Sequence, residues 1–171
     1  MSTVNSAEGQ GLAITRVFNA PLALVFEIFS KSEHLQNWFG PKGADLHIVK
    51  HEFEPGGTYL YNMSGPDGGL MWGKFEYKEI VPKEKIVYIS AFSDEEGNIV
   101  RAPFSALWPL EIYNTVSFKT VDGGTELTMT GIPYSATEEE NAFFESFKSN
   151  VQQGYAGMMS VLENYLAEVQ V

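Results

Sequence analysis

Three histidines, His34, His47 and His51, are the residues best suited to proton transfer or metal binding in a chain without cysteine. His47 and His51 stand four apart, the spacing of a metal pair on a helix. The run around them reads as a strand, however, over which four residues span about 13 Å. They cannot share an ion there, and surface or structural roles are expected. No HExxH, phosphate-binding glycine loop or GxSxG elbow occurs. Glu52 and Glu54 share a strand face while Glu76 and Glu79 have opposite parity. Solvated sheet faces explain both pairs in a chain with 22 acidic and 11 basic residues. No catalytic residue, metal site or cofactor is expected.

The aromatic residues are the other chemistry on offer: twelve Phe, eight Tyr and three Trp. Same-face partners at strand spacing are Phe75 with Tyr77, Asn114 with Val116, and Leu127 with Met129, joined by Tyr88. Trp38, and Phe147, Val151, Tyr155 and Met158 of a long C-terminal helix, are placed to close the same space. Each of these residues has plain core packing as its alternative. Four of them, Tyr77, Tyr88, Asn114 and Tyr155, carry polar atoms that need partners if buried. A ligand with one polar end supplies such partners.

The elements that must position these side chains follow from periodicity. Leu12 to Phe18 reads as a strand, and Asn19-Ala20-Pro21 opens a helix whose face is Leu22, Val25, Phe26 and Phe29. A short helix capped by Ser30 or Ser32 carries Leu35, Trp38 and Phe39 up to Gly40-Pro41. Strands are then expected over 46–53, 58–64, a run including 73–78, 86–92, 111–119 and 125–132. Turns fall at Pro55-Gly56-Gly57, Gly65-Pro66-Asp67-Gly68-Gly69, Pro82-Lys83-Glu84, Asp94 to Asn98, and Asp122-Gly123-Gly124. Arg101 to Pro109 is an apolar irregular loop, either folded back on the domain or free to meet a partner or act as a lid. From Thr137 the helical period runs for about thirty residues. Thr137 and Glu140 form a capping box, and Phe143, Phe147, Val151, Met158, Leu162, Tyr165 and Val169 form a stripe. Gly154 and Gly157 interrupt it, Gly154 on the stripe side, where close helix–sheet approach or a bend is expected.

At 171 residues, 44% apolar and 19% charged, the chain has the size and composition of one globular domain. Residues 1–11 are expected to be a flexible tail and 12–171 a single domain. Met1 to Gly11 lacks the features of a signal peptide, no apolar run approaches the ~20 residues of a membrane helix, and a cytoplasmic location is expected. The net charge of −11 disfavours nucleic acid and anionic membranes as partners. A meander of antiparallel strands this long curls, and its concave side is where the long helix buries its stripe.

Arg16 to Pro21, His34 to Pro41, Pro55-Gly56-Gly57 and Gly65 to Gly68 form the first part of an ordered motif set. It continues through Pro103-Phe104-Ser105, Trp108-Pro109-Leu110, Thr137 to Glu140 and Gln152 to Tyr155. The set resembles the SRPBCC or START-like superfamily, with the helix-grip fold of the birch-pollen-allergen type. It is more closely similar to stand-alone proteins related to the C-terminal domain of the Hsp90 ATPase activator. The resemblance implies an α+β helix-grip fold: a curved antiparallel sheet of six to seven strands, two short helices after the first strand, and the long helix. That fold hosts lipid carriers, hormone binders, cyclases, dioxygenase subunits and co-chaperone domains. Nothing in this sequence corresponds to the co-chaperone's additional N-terminal domain. The expected function is binding of a hydrophobic or amphipathic small molecule, such as a lipid, between sheet and helix, by a monomer or homodimer. An Hsp90 co-chaperone-like module in stress response is the first alternative. A cofactor-free cyclase or dehydratase is the second.

Overall fold

Alternation of apolar and polar residues gives the chain its strands. The computed structural model describes residues 3–4, 11–40, 43–65 and 68–170. In chain order these hold β1 (Thr3–Val4), β2 (Leu12–Phe18), α1 (Leu22–Ser30), α2 (Ser32–Trp38), β3 (Asp45–His51) and β4 (Thr58–Ser64). They continue with β5 (Leu70–Val81), β6 (Lys85–Ser93), β7 (Ile112–Val121), β8 (Gly124–Pro133) and α3 (Glu138–Val169). The strands form one antiparallel sheet in the order β1-β2-β8-β7-β6-β5-β4-β3. This is the α+β helix-grip architecture, with seven long strands and β1 added at one edge. β1 falls inside the segment expected to be a tail, where Thr3 and Val4 pair with Thr15 and Ile14. Pro66 and Asp67 of the expected β4–β5 turn, and Pro41 after α2, lie outside the described residues.

The cap expectations split. Pro21 itself caps α1, without a side-chain hydrogen bond, and Lys31 rather than a serine precedes α2. The Ser30 hydroxyl instead donates back to the Glu27 carbonyl. At α3 the capping box is present. The Glu140 amide donates to the Thr137 hydroxyl at 3.1 Å, and the Thr137 amide donates to the Glu140 carboxylate at 2.9 Å.

Glu140 also accepts from the Arg101 guanidinium, tying the loop before β7 to the helix start. The Thr137 amide first, and then Arg101, hold the Glu140 carboxyl below its ordinary 4.5. A carboxyl depressed on folding adds stability above its unfolded value and loses it as pH falls through the folded one. From about pH 5 to about pH 3 the wild-type melting midpoint should therefore fall more steeply than that of Glu140→Gln. Parallel curves would show that this carboxylate carries no linkage.

The core occupies the concave face beneath α1, α2 and the C-terminal half of α3. It gathers Phe18, Ile28, Tyr59, Val116, Leu127, Met159 and Leu162, all at 1% exposure or less. A second cluster joins Leu12, Ala102, Trp108, Ile112 and Phe144 at the other end. His34 fastens α3 to the small helices. Its Nε2 donates to the Glu27 carboxylate at 3.1 Å, and its Nδ1 lies in hydrogen-bond contact with the Tyr165 hydroxyl at 2.6 Å.

Candidate functional site

Between the two core clusters the middle of α3 spans the sheet without filling the space below it. The space is a cavity of about 530 Å³. Its floor follows the strand register: Tyr88 lies opposite Asn114, Asn114 opposite Gly131, and Gly131 opposite Leu12. Phe75 and Ser90 form the next opposed pair, and Tyr61 and Gly73 another. Two glycines shape this floor. A Cβ at Gly73 would stand 2.5 Å from the Tyr61 hydroxyl oxygen, so only glycine lets that ring lie across β5. At Gly131 a Cβ would come within 3.1 Å of Asn114 Oδ1.

Polar atoms in the wall are few and convergent. Asn114 Nδ2 donates to Ser90 Oγ and the Ile112 carbonyl, both at 2.9 Å, and reaches the Tyr88 carbonyl at 3.4 Å. Those acceptors fix the orientation of the amide. Its Oδ1 meets no donor among the described residues. Neither do the hydroxyls of Tyr61, Tyr88 and Tyr155 find a hydrogen-bond partner there. Burial raises all three phenols above their ordinary 10.0 and so keeps them protonated. None of the described lining residues carries a charge.

Eight of the residues singled out from sequence line this cavity: Phe75, Tyr88, Asn114, Met129, Phe147, Val151, Tyr155 and Met158. Four lie elsewhere. Trp38 is turned beneath α1, where its Nε1 donates to the Ile28 carbonyl at 3.1 Å, and its neighbour Phe39 reaches the wall instead. Tyr77 shares the inward face but lies one pair farther along β5, at 3.2 Å from His51 Nε2. Val116 and Leu127 also face inward, and sit at 1% and 0% exposure within the core cluster. Parity puts these three on the correct face, and position along the strand removes them from the cavity.

The long helix also differs from its expected stripe. Buried residues are Phe144, Met158, Met159, Leu162 and Leu166, with Glu140 at the start, whereas Val169 is exposed. Gly154 lines the cavity, and a Cβ there, or at Gly157, would meet nothing within 4 Å. Close approach is therefore not why glycine stands at either position. Gly154→Ala and Gly157→Ala should each stabilise the protein by about 1 kcal/mol through helix propensity. The check is a higher urea midpoint at unchanged slope. An unchanged or lower midpoint would mean that a bend at these positions matters.

The loop from Arg101 to Pro109 folds back yet keeps one aromatic outside. Trp108 is buried against Phe144 at 5.3 Å between ring centroids, whereas Phe104, half exposed, stacks on Phe147 at 5.4 Å. Phe104 and Phe147 flank the mouth of the cavity. Tyr61, Met63, Met71 and Phe92 of the wall are not among the residues that the sequence singles out, and the loop's place there settles its two alternatives in favour of folding back. For Tyr61 and Met63 the available signal was their parity in β4 beside the glycine at position 73. The histidines are spread out: His47 is exposed, and His51 is packed among Phe53, Tyr59 and Tyr77. Desolvation lowers His51 below its ordinary 6.5. Among the described residues no cluster of three His, Asp or Glu is positioned to hold a metal, and no helix is long and apolar enough to cross a membrane.

Known structures share this architecture. A protein from Mycobacterium smegmatis is 25% identical, aligns over 99% of both chains and superposes with a TM-score of 0.80. One from Arthrobacter aurescens is 23% identical over 97% of this chain and 91% of that chain, also with a TM-score of 0.80. The AHSA1 protein from Silicibacter pomeroyi, at 14% identity, covers 92% of this chain and 97% of its own, with a TM-score of 0.71. No curated protein matches the chain at a significant level. The family model for Activator of Hsp90 ATPase homolog 1-like protein matches residues 19–167, which span both short helices, the sheet from β3 to β8 and nearly all of α3. By that match the chain belongs to the Activator of Hsp90 ATPase homolog 1-like family.

Proposed function

We propose that this protein binds a hydrophobic or amphipathic small molecule between the sheet and the middle of α3. The observation that carries the reading is the cavity itself. At about 530 Å³ it has the size of a ligand site, and its wall is apolar apart from a few convergent polar atoms. Phe75, Tyr88, Asn114, Met129, Phe147, Val151, Tyr155 and Met158 are the proposed contacts. An apolar body would lie against the rings and methionines, and a polar end would meet the unpartnered phenols and Asn114 Oδ1.

The other readings have narrower support. A chaperone partner is suggested by the family name and by the exposed side chains of Phe104, Leu107 and Leu110. That role needs no open cavity. An enzyme would need an acid or base in the wall, and raised phenols are poor bases at neutral pH. The test is native mass spectrometry with solvent extraction of the purified protein, followed by titration with the neutral fluorophore N-phenyl-naphthylamine. A single saturable site is expected. Absence of both a copurified compound and saturable binding, together with acceleration of a chaperone ATPase, would replace the ligand reading with the co-chaperone one.

A further inference from the structure

We propose that the cavity selects uncharged ligands and excludes organic anions, fatty-acid carboxylates included. This rests on the ligand-binding reading and narrows its ligand class. The wall offers phenolic and serine hydroxyls, one side-chain carbonyl, and no cation or carboxylate among the described residues. An anionic head drawn inside would lose its water and gain at most neutral hydrogen bonds, which do not repay the desolvation of a full charge. A neutral carbonyl, ether or hydroxyl loses far less water and can accept from Tyr61, Tyr88 or Tyr155. A hydroxyl can equally donate to Asn114 Oδ1.

Among the described residues, the cations of the loop and of α3 beside Phe104 and Phe147 are already engaged. In the loop, Arg101 is engaged by the Glu140 carboxylate and by the Trp108 carbonyl. On α3, Lys148 is held by Glu145 at 2.8 Å. An amphiphile that left its charge at the entrance would find these cations already paired, on a chain of net charge −11.

The test compares two probes on the intact protein: N-phenyl-naphthylamine, and anilinonaphthalene sulfonate, which adds one sulfonate to the same ring skeleton. Titrations at low salt and in molar salt separate interior desolvation from long-range repulsion, because exposed charges are screened in the second condition and buried ones are not. The neutral probe should bind at least tenfold more tightly in both. A gain-of-function variant completes the test: Val151→Arg, which adds an unpaired cation at the wall, should bring the sulfonate probe at least tenfold closer to the neutral one. Comparable wild-type affinities would overturn the selectivity while leaving the cavity a binding site. So would a preference that vanishes in molar salt, which would assign it to overall charge. Failure of both probes to bind wild-type protein would overturn the binding reading, and this inference with it.

Discussion

Val151→Trp should bind N-phenyl-naphthylamine at least about 100-fold more weakly than the wild type, a loss of about 2.7 kcal/mol. Val151 sits on the cavity side of α3, partly buried, one turn from both Phe147 and Tyr155. An indole there has open space before it rather than close-packed neighbours, so it enters the volume a ligand would occupy. Overpacking a filled core costs 1–3 kcal/mol in general, and that penalty applies where no space exists. The melting midpoint of Val151→Trp should accordingly stay close to wild type, separating lost binding from lost folding. Val169→Trp is the control, because Val169 is exposed on the same helix outside the cavity. Its affinity should be unchanged. Retained tight binding by a folded Val151→Trp would mean that the probe sits elsewhere and would remove the cavity from the function.

The contrast between Phe75 and Tyr77 shows how far the sequence carries this site. Alternation in β5 puts both on the inward face, and the structure agrees. Alternation reports a face and nothing about distance along it, yet the cavity occupies only part of the concave side. Phe75, Asn114 and Met129 therefore reach open space, while Tyr77, Val116 and Leu127, on the same face, are sealed in the core. The helix shows the same limit at a different period. Phe143 and Phe144 are adjacent and equally apolar, and a stripe can be drawn through either. The pairing with Trp108, more than thirty residues earlier in the chain, selects Phe144 as the buried one. Loop 101–109 has no period at all, so the sequence leaves open whether it folds back or acts as a lid, and only tertiary contacts place Phe104 and Trp108 against the cavity. Capping chemistry was the most legible feature. Thr137 and Glu140 act over three residues, and no distant contact is needed to place them.

Phe144→Ala should destabilise the protein by about 3–5 kcal/mol, the range for a large aromatic removed from a packed site. Phe144 is 1% exposed and joins three parts of the fold: α3, the loop through Trp108, and the strand ends carrying Leu12 and Ile112. Because it also lines the cavity, its removal enlarges that cavity and takes from Trp108 the nearest of its three ring partners, leaving Phe104 and Phe147. The effect should therefore have a local component as well as a global one. Urea titration measures the global cost, and limited proteolysis within residues 101–110 reads the loop. Leu162→Ala, buried in the other cluster at 0% exposure, should cost about 2–5 kcal/mol without making the loop more susceptible to cleavage. If the two variants show the same cleavage pattern, the clusters melt as one unit and Phe144 has no special hold on the loop. A cost below about 1 kcal/mol for Phe144→Ala would be incompatible with its place in the second cluster.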